Sequence, residues 1–302
     1  MSFKILGIGE ALWDLLPTGP QVGGAPANFA CHARALGARA GVVTRVGRDD
    51  YGRGIVDFFR KMGIAHDAVQ TDDQAPTGTV TVTLSGQGIP HFTIHENVAW
   101  DCLEVTREAL AAVRAADAIS FGTLAQRSEA GRVSVQRLLS AAPATTLRVF
   151  DVNLRQRYFS HEVIAQSLQL ANVLKLNDGE LEVFSALFKL SGSVACRLET
   201  LAQRYGLQVV ALTRGPAGSL LYQAGQWSDC AGLPIQIVDT VGAGDAFTAA
   251  LVMGLLQRME LDQINSLADE VARYVCTRAG ATPPLPKEFS ERFAAHDAAL
   301  KL

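Results

Sequence analysis

Short apolar runs alternate with longer amphipathic stretches along this chain. FKILGIG (3–9) predicts a buried strand, 26–37 a helix, GVVTRVG (41–47) a second strand and 50–62 a second helix. The apolar runs DAISFG (117–122), LRVFDVN (147–153), NVLKLN (172–177) and QVVALTRG (208–215) predict further strands, each bounded by polar residues or glycine. Helical patterns lie between or beside them at 128–141, 160–171, 178–188 and 196–205. This alternation implies βαβ units, hence an α/β fold with a doubly wound, mostly parallel sheet flanked by helices. In such sheets ligands bind beyond the carboxyl ends of the strands.

One region departs from that rhythm. TGTVTVTLSGQGIPHFTIH (77–95) alternates β-branched and polar residues around a Gly-rich turn, which predicts a hairpin with one face exposed. Joined by 12–22, it predicts a small β-sheet lid made from two insertions. The chain then divides into a body (1–11, 23–75 and 97–302) and a lid (12–22 and 76–96). The alternating Val80, Val82, Leu84, Phe92 and Ile94 predict an apolar lid face, and with it a homodimer formed through the lids.

Composition narrows the classes. The 302 residues are 48 % hydrophobic and 19 % charged, so a large core is expected. A net charge of −3 provides no basic surface for nucleic acid or an anionic membrane. No apolar run approaches the roughly 18 residues of a membrane span, and the N-terminus meets Glu10 too early for a signal peptide. The expectation is a cytoplasmic protein. Five scattered cysteines without a CxxC pair predict neither disulfides nor structural zinc, and read as small buried residues.

The sharpest chemical pattern is DTVGAGDAFTAAL (239–251). A Gly-rich turn entering a helix aims free N–H groups and the positive end of the helix dipole at one point, which suits a phosphoryl group. Asp245, in the first helical turn, is placed to accept a proton from an attacking hydroxyl. The same string also fits a helix start with glycines for close packing and Asp for capping. The second pattern is GGAPANFACHARALGARAGVVTRVGRDDYG (23–52): Gly23 and Gly24 permit a tight turn, and Asn28 offers an amide that both donates and accepts. Asp14 follows the first strand, at the expected ligand edge. Other motifs are weaker. Gly7, Gly9 and Glu10 lack the third glycine of a dinucleotide fingerprint, and no phosphate-binding GxxxxGK[ST] loop occurs. His91 and His95 have metal spacing only on a helix, and here they fall on a strand. Trp13 and Trp100 flank the lid, where they cover a ligand or pack the core.

Together, GGAPANFA and DTVGAGDAF resemble the two signatures of the ribokinase-like (PfkB) family of carbohydrate kinases. The similarity runs over essentially the whole chain, and GEALWDLLP places it nearest the fructokinase branch. The resemblance implies Asp245 as catalytic base and Gly242, Ala243 and Gly244 as the anion hole. It implies Asp14, Gly24, Asn28, Asn153 and Arg155 at the sugar. Asn177 and Glu180 match an N-x-x-E motif that organises Mg²⁺ and phosphates, and Thr213, Arg214 and Gly215 match the loop along the nucleotide. A monovalent cation, potassium in many relatives, would lie at Asp239, Val241, Val275, Arg278 and Gly280, although Pro284 stands where many relatives have a small polar residue. The expected reaction is ATP-dependent phosphorylation of a free sugar, D-fructose first. Ribose, 2-keto-3-deoxygluconate, a sugar phosphate or a nucleoside are alternative acceptors. A non-catalytic sugar- or nucleotide-binding regulator is the alternative of another class.

Overall fold

The computed structural model describes residues 2–17, 19–84 and 90–299. The chain opens with β1 (Lys4–Ile8), then β2 (Leu12–Leu16), β3 (Gly19–Gly23), α1 (Ala25–Ala35), β4 (Arg39–Gly47), α2 (Asp50–Met62) and β5 (Val69–Asp72). The hairpin β6 (Gly78–Leu84) and β7 (Pro90–Ile94) follows, then α3 (Arg107–Arg114), β8 (Ala118–Phe121), α4 (Glu129–Ser140), β9 (Leu147–Asp151), α5 (His161–Leu170) and β10 (Val173–Asn177). The remainder comprises α6 (Asp178–Phe188), α7 (Val194–Tyr205), β11 (Val209–Thr213), β12 (Gly218–Gln223), β13 (Gln226–Ala231), α8 (Ala243–Leu256), α9 (Leu261–Cys276) and α10 (Lys287–Ala299).

Nine strands form one sheet in the order β13-β12-β11-β10-β9-β8-β1-β4-β5. All neighbours from β11 to β5 are parallel, and β12 and β13 add an antiparallel hairpin at one edge. Alternate residues feed two cores: Val149, Val173 and Val209 pack towards α1, α8 and α9, whereas Phe150, Leu174 and Val210 pack towards α4 to α7. This two-sided burial explains why these strands are continuous apolar runs. The chain turns from β1 to β4 on one side and later returns to β8 on the other, which opens a switch point at the carboxyl end of β1.

The lid is a separate sheet, β3-β2-β6-β7, with β2 and β6 parallel. It carries Asp14 on β2, within the 12–22 segment assigned to the lid. Asp14 stands directly opposite Val80 and Gln21, so the three share one face. Val80 and Ile94, expected on an exposed dimer face, are buried against Leu12, Trp100 and Leu124. The side chains of Val82, Leu84, Phe92 and His91 lie outside the described ones. His95 is exposed and shares a hydrogen bond with Thr81, 2.8 Å.

The end of the lid is anchored to the body by Arg127. Its guanidinium stacks 3.9 Å from the Trp100 ring and 4.9 Å from the Tyr158 ring. It donates to both Asp101 carboxylate oxygens at 2.7 and 2.8 Å and to the His95 carbonyl at 2.6 Å. Trp100 thus belongs to the core, while Trp13 is half-buried and donates to the Tyr51 carbonyl, 2.9 Å. The cysteines are all free, but only Cys31 is buried; Cys102 and Cys196 are exposed. Their positions on helix and loop surfaces overturn the expectation of five core residues. Among the described residues no helix is long and apolar enough to cross a membrane.

Candidate active site

The switch point gathers the residues singled out in the two glycine-rich segments. Gly24 caps the start of α1 with φ 106°, and a Cβ there would lie 2.5 Å from the Glu10 carbonyl oxygen, so only glycine fits. One turn into α1, Asn28 is buried and its Nδ2 donates to Asp245 Oδ2 at 2.9 Å. Gly242 caps α8 with φ 79°, and its missing side chain leaves room for the Ala281 carbonyl oxygen, which a Cβ would approach to 2.0 Å. The first helical bond of α8 runs from Ala246 N to the Gly242 carbonyl, leaving the N–H groups of Gly244 and Asp245 without an intrahelical acceptor. The Ala243 N–H is engaged more weakly, with the Thr240 carbonyl at 3.3 Å.

Two further charges lie beneath this helix start. Asp151 and Lys175 sit opposite each other on β9 and β10, and Lys175 Nζ donates to Asp151 Oδ1 at 3.0 Å. Thr248 Oγ1 donates to the other Asp151 oxygen at 2.7 Å. A Cβ on Gly244 would lie 3.0 Å from Lys175 Nζ, so the ammonium underlies the turn. Burial opposes the lysine's charge, but Asp151, Glu180 and Asp245 together hold its pKa above the ordinary value.

Three acids at the switch point and on the lid beside it are less acidic than usual. Burial, reinforced by the Asp151 charge, pushes Asp245 up to about 6 against the Asn28 hydrogen bond and the charges of Lys175 and Arg155. Burial raises Asp14 to about 6 and Glu10 to about 7, with Arg155 opposing both. Glu10 accepts from the Ala25 N–H at 3.3 Å, while its second oxygen is buried without a partner. Arg155 is exposed, and its guanidinium donates to Asn153 Oδ1 at 2.9 Å. Asn153 takes φ 45°, a left-handed value that asparagine tolerates.

Other expected residues have visible local duties. Asn177 and Glu180 form a capping box: Oδ1 accepts from Glu180 N at 2.9 Å and Oε2 from Asn177 N at 2.8 Å. Glu180 Oε1 also accepts from Leu154 N at 2.9 Å, tying this helix start to the Asn153–Arg155 loop. Thr213 stands opposite Asn177 on β11. The Arg214 side chain turns instead to the β12–β13 hairpin, donating to the Ser219 carbonyl at 3.0 Å and to Asp229, while Gly215 remains exposed in the following turn. Asp239 accepts from Val241 N and Gly280 N, both at 3.0 Å, and the Val275 carbonyl accepts from Arg278 N at 3.0 Å. The Asp239 carboxylate therefore links the segment before α8 to the one after α9, while Val275 lies in the last turn of α9. Among the described residues no group of three or more His, Cys, Asp or Glu is placed to hold a metal.

Sequence reading missed Asp151, Lys175, Thr248 and Glu10. The signal was present for two of them: Asp151 ends the apolar run LRVF, and Lys175 is a lone charge inside NVLKLN.

Chemically, the arrangement joins a buried carboxylate of raised basicity to a helix start with free N–H donors and a buried cation. Such a combination is chemically suited to accepting a proton from a hydroxyl and to stabilising a phosphoryl group beside it. Comparison with known proteins places the chain in a family. Residues 19–288 match the model of the pfkB family carbohydrate kinases. A fructokinase of Escherichia coli is 30 % identical over 303 residues, covering 95 % of this chain and 97 % of its own. A sugar kinase of Pyrococcus horikoshii, crystallised in complex with ATP, superposes with a TM-score of 0.79 at 26 % identity, covering 96 % of this chain and 99 % of that one. An ATP-bound fructokinase of Xylella fastidiosa shares the fold, with a TM-score of 0.83 at 22 % identity over 99 % of this chain and all of that one (100 %).

Proposed function

Since this chain belongs to the pfkB family of carbohydrate kinases, we propose that it transfers the γ-phosphoryl group of ATP to the primary hydroxyl of a free sugar, D-fructose first. The observation that carries this reading is the buried Asp245, held by Asn28 beside the Gly242–Gly244 turn. The hydroxyl proton passes to Asp245 as the sugar oxygen bonds to the γ-phosphorus. The bond from that phosphorus to the β–γ bridging oxygen breaks, and ADP leaves with the electron pair. The N–H groups at the start of α8 and the Lys175 ammonium neutralise charge on the transferring group. Positioning supplies much of the remaining rate.

Mg²⁺ fits the donor set. The carboxylate oxygens of Glu180 and Asp151 already accept hydrogen bonds from the protein, and their remaining lone pairs suit the water shell that Mg²⁺ retains. Asn177 and Glu180 would hold the ion, which when bound neutralises phosphate charge. Asp239, Val241, Val275, Arg278 and Gly280, whose segments the Asp239 carboxylate links, would hold a monovalent cation, with no hydroxyl from Pro284.

Three acids, Glu10, Asp14 and Asp245, against one exposed Arg155 favour a neutral polyol, whose hydroxyls donate to carboxylates. Arg155 itself favours a second reading, a sugar acid such as 2-keto-3-deoxygluconate, whose carboxylate it would meet. The lid supports a homodimer less than its sequence did, because Val80 and Ile94 are covered within one chain. An ADP-release assay with Mg-ATP across free sugars, sugar acids, sugar phosphates and nucleosides tests the reading. The highest kcat/KM is expected with D-fructose. A sugar acid turned over at least tenfold better would replace fructose, and sugar binding without any ADP release would replace the kinase by a regulator.

A further inference from the structure

Asn28 and His32 are one turn apart on α1, both are buried, and both side chains reach towards the start of α8. Asn28 meets Asp245. His32 Nε2 lies 2.9 Å from the Ala281 carbonyl oxygen, and because a carbonyl only accepts, Nε2 carries the proton. This is the same carbonyl that fills the space left by the missing Gly242 side chain. No other hydrogen bond reaches it among the described residues. One helix thus holds the base directly and the glycine turn through a single intervening peptide.

Stability does not account for the imidazole. An apolar side chain would fill the site without the cost of burying a polar ring, which one hydrogen bond roughly offsets. Nor is the ring a proton carrier. Burial draws its pKa down to about 4, so it is a neutral, fixed donor under ordinary conditions.

We propose that His32 is a positioning residue for phosphoryl transfer: through the Ala281 carbonyl it sets the place of the Gly242–Gly244 turn relative to Asp245. The inference rests on the kinase reading above. A shift of the turn moves the N–H donors away from the transition state while leaving the sugar contacts of Asn28 and Asp14 in place, and misplacements of this kind are costly in rate.

The test compares His32→Leu, which fills the space without a donor, with His32→Gln, whose amide restores one. With the best acceptor of the wild-type enzyme, His32→Leu is expected to lower kcat about tenfold while sugar KM stays within twofold, and His32→Gln to recover at least half of the loss. Any hydrolysis of ATP measured without sugar is followed in parallel, with the same pattern expected. The role of His32 is therefore read even if the acceptor assignment fails, and wild-type turnover of sugars tests that assignment separately. A kcat of His32→Leu within twofold of wild type overturns the proposal. So does a loss in which kcat, KM and melting temperature worsen together and Gln restores nothing, because that marks a purely structural core residue.

Discussion

Asn28 Nδ2 donates to Asp245 Oδ2 across 2.9 Å, joining residues 217 positions apart in the chain. The bond orients the carboxylate and favours its ionised form. Replacing Asp245 by Asn keeps the shape and removes the proton acceptor. Turnover should fall roughly 10²–10⁴-fold, the range of a general base, with sugar and nucleotide affinity nearly unchanged. Steady-state kinetics with binding by calorimetry checks this, and near-normal turnover would falsify the assignment of the base.

The raised basicity of Asp245 has a direct signature. With its pKa about 6, the profile of kcat/KM against pH should carry an acid limb near pH 6, below which the protonated base is inactive. Asn28→Ala removes an interaction that lowers this pKa, so the limb should move towards neutrality. A limb that stays fixed in the variant disconnects the bond from the base.

Glu10 bears on stability through its raised pKa, about 7 in the fold against an ordinary 4.5. A group raised in this way contributes stability that is fully present below about pH 4.5 and is lost as pH rises through about 7. Ligand-free protein should therefore weaken over that interval, and Asp14 and Asp245 act in the same direction. Glu10→Gln keeps the acceptor for Ala25 N and removes the buried charge. It should gain about 2–3 kcal/mol at pH 8 and little at pH 5 in urea unfolding.

Gly242→Ala introduces a Cβ at φ 79° that meets the Ala281 carbonyl. The turn must move, so more than about a hundredfold of turnover should be lost, as for displaced transition-state donors. Sugar-induced thermal stabilisation should persist, because Asp14 and Asn28 are untouched. A variant that keeps wild-type kcat would show that the turn tolerates displacement.

Arg127→Met leaves Asp101 as a buried, unpaired carboxylate. Breaking such a pair typically costs about 3–5 kcal/mol, and the double variant Arg127→Met with Asp101→Asn should recover part of it. Guanidinium unfolding of the single and double variants measures both values.

Much of this was legible in the chain itself. The parallel strands announced themselves because two-sided burial makes them uninterrupted apolar runs, and Gly24 and Gly242 sat where only glycine fits. Asp245 and Asn28 could be named individually, but their hydrogen bond could not, since it depends on α1 and α8 packing face to face. Lys175 and Asp151 are intelligible only as a pair across neighbouring strands, where each offsets the other's burial. Val80 and Ile94 misled because alternation identifies an apolar face without saying what covers it. Asp14 could be singled out in the chain, but its neighbours Val80 and Gln21 could not, because they follow from how the lid strands pair.

The two lid segments enter the chain at separate points, between β1 and α1 and again after β5, yet β2 and β6 are hydrogen-bonded neighbours. Across the paired stretch neither strand can shift register alone without unmatching the other. A shift of register between β2 and β6 therefore has to be matched in two distant stretches of the gene, whereas single side chains on the lid face can change and leave the pairing intact.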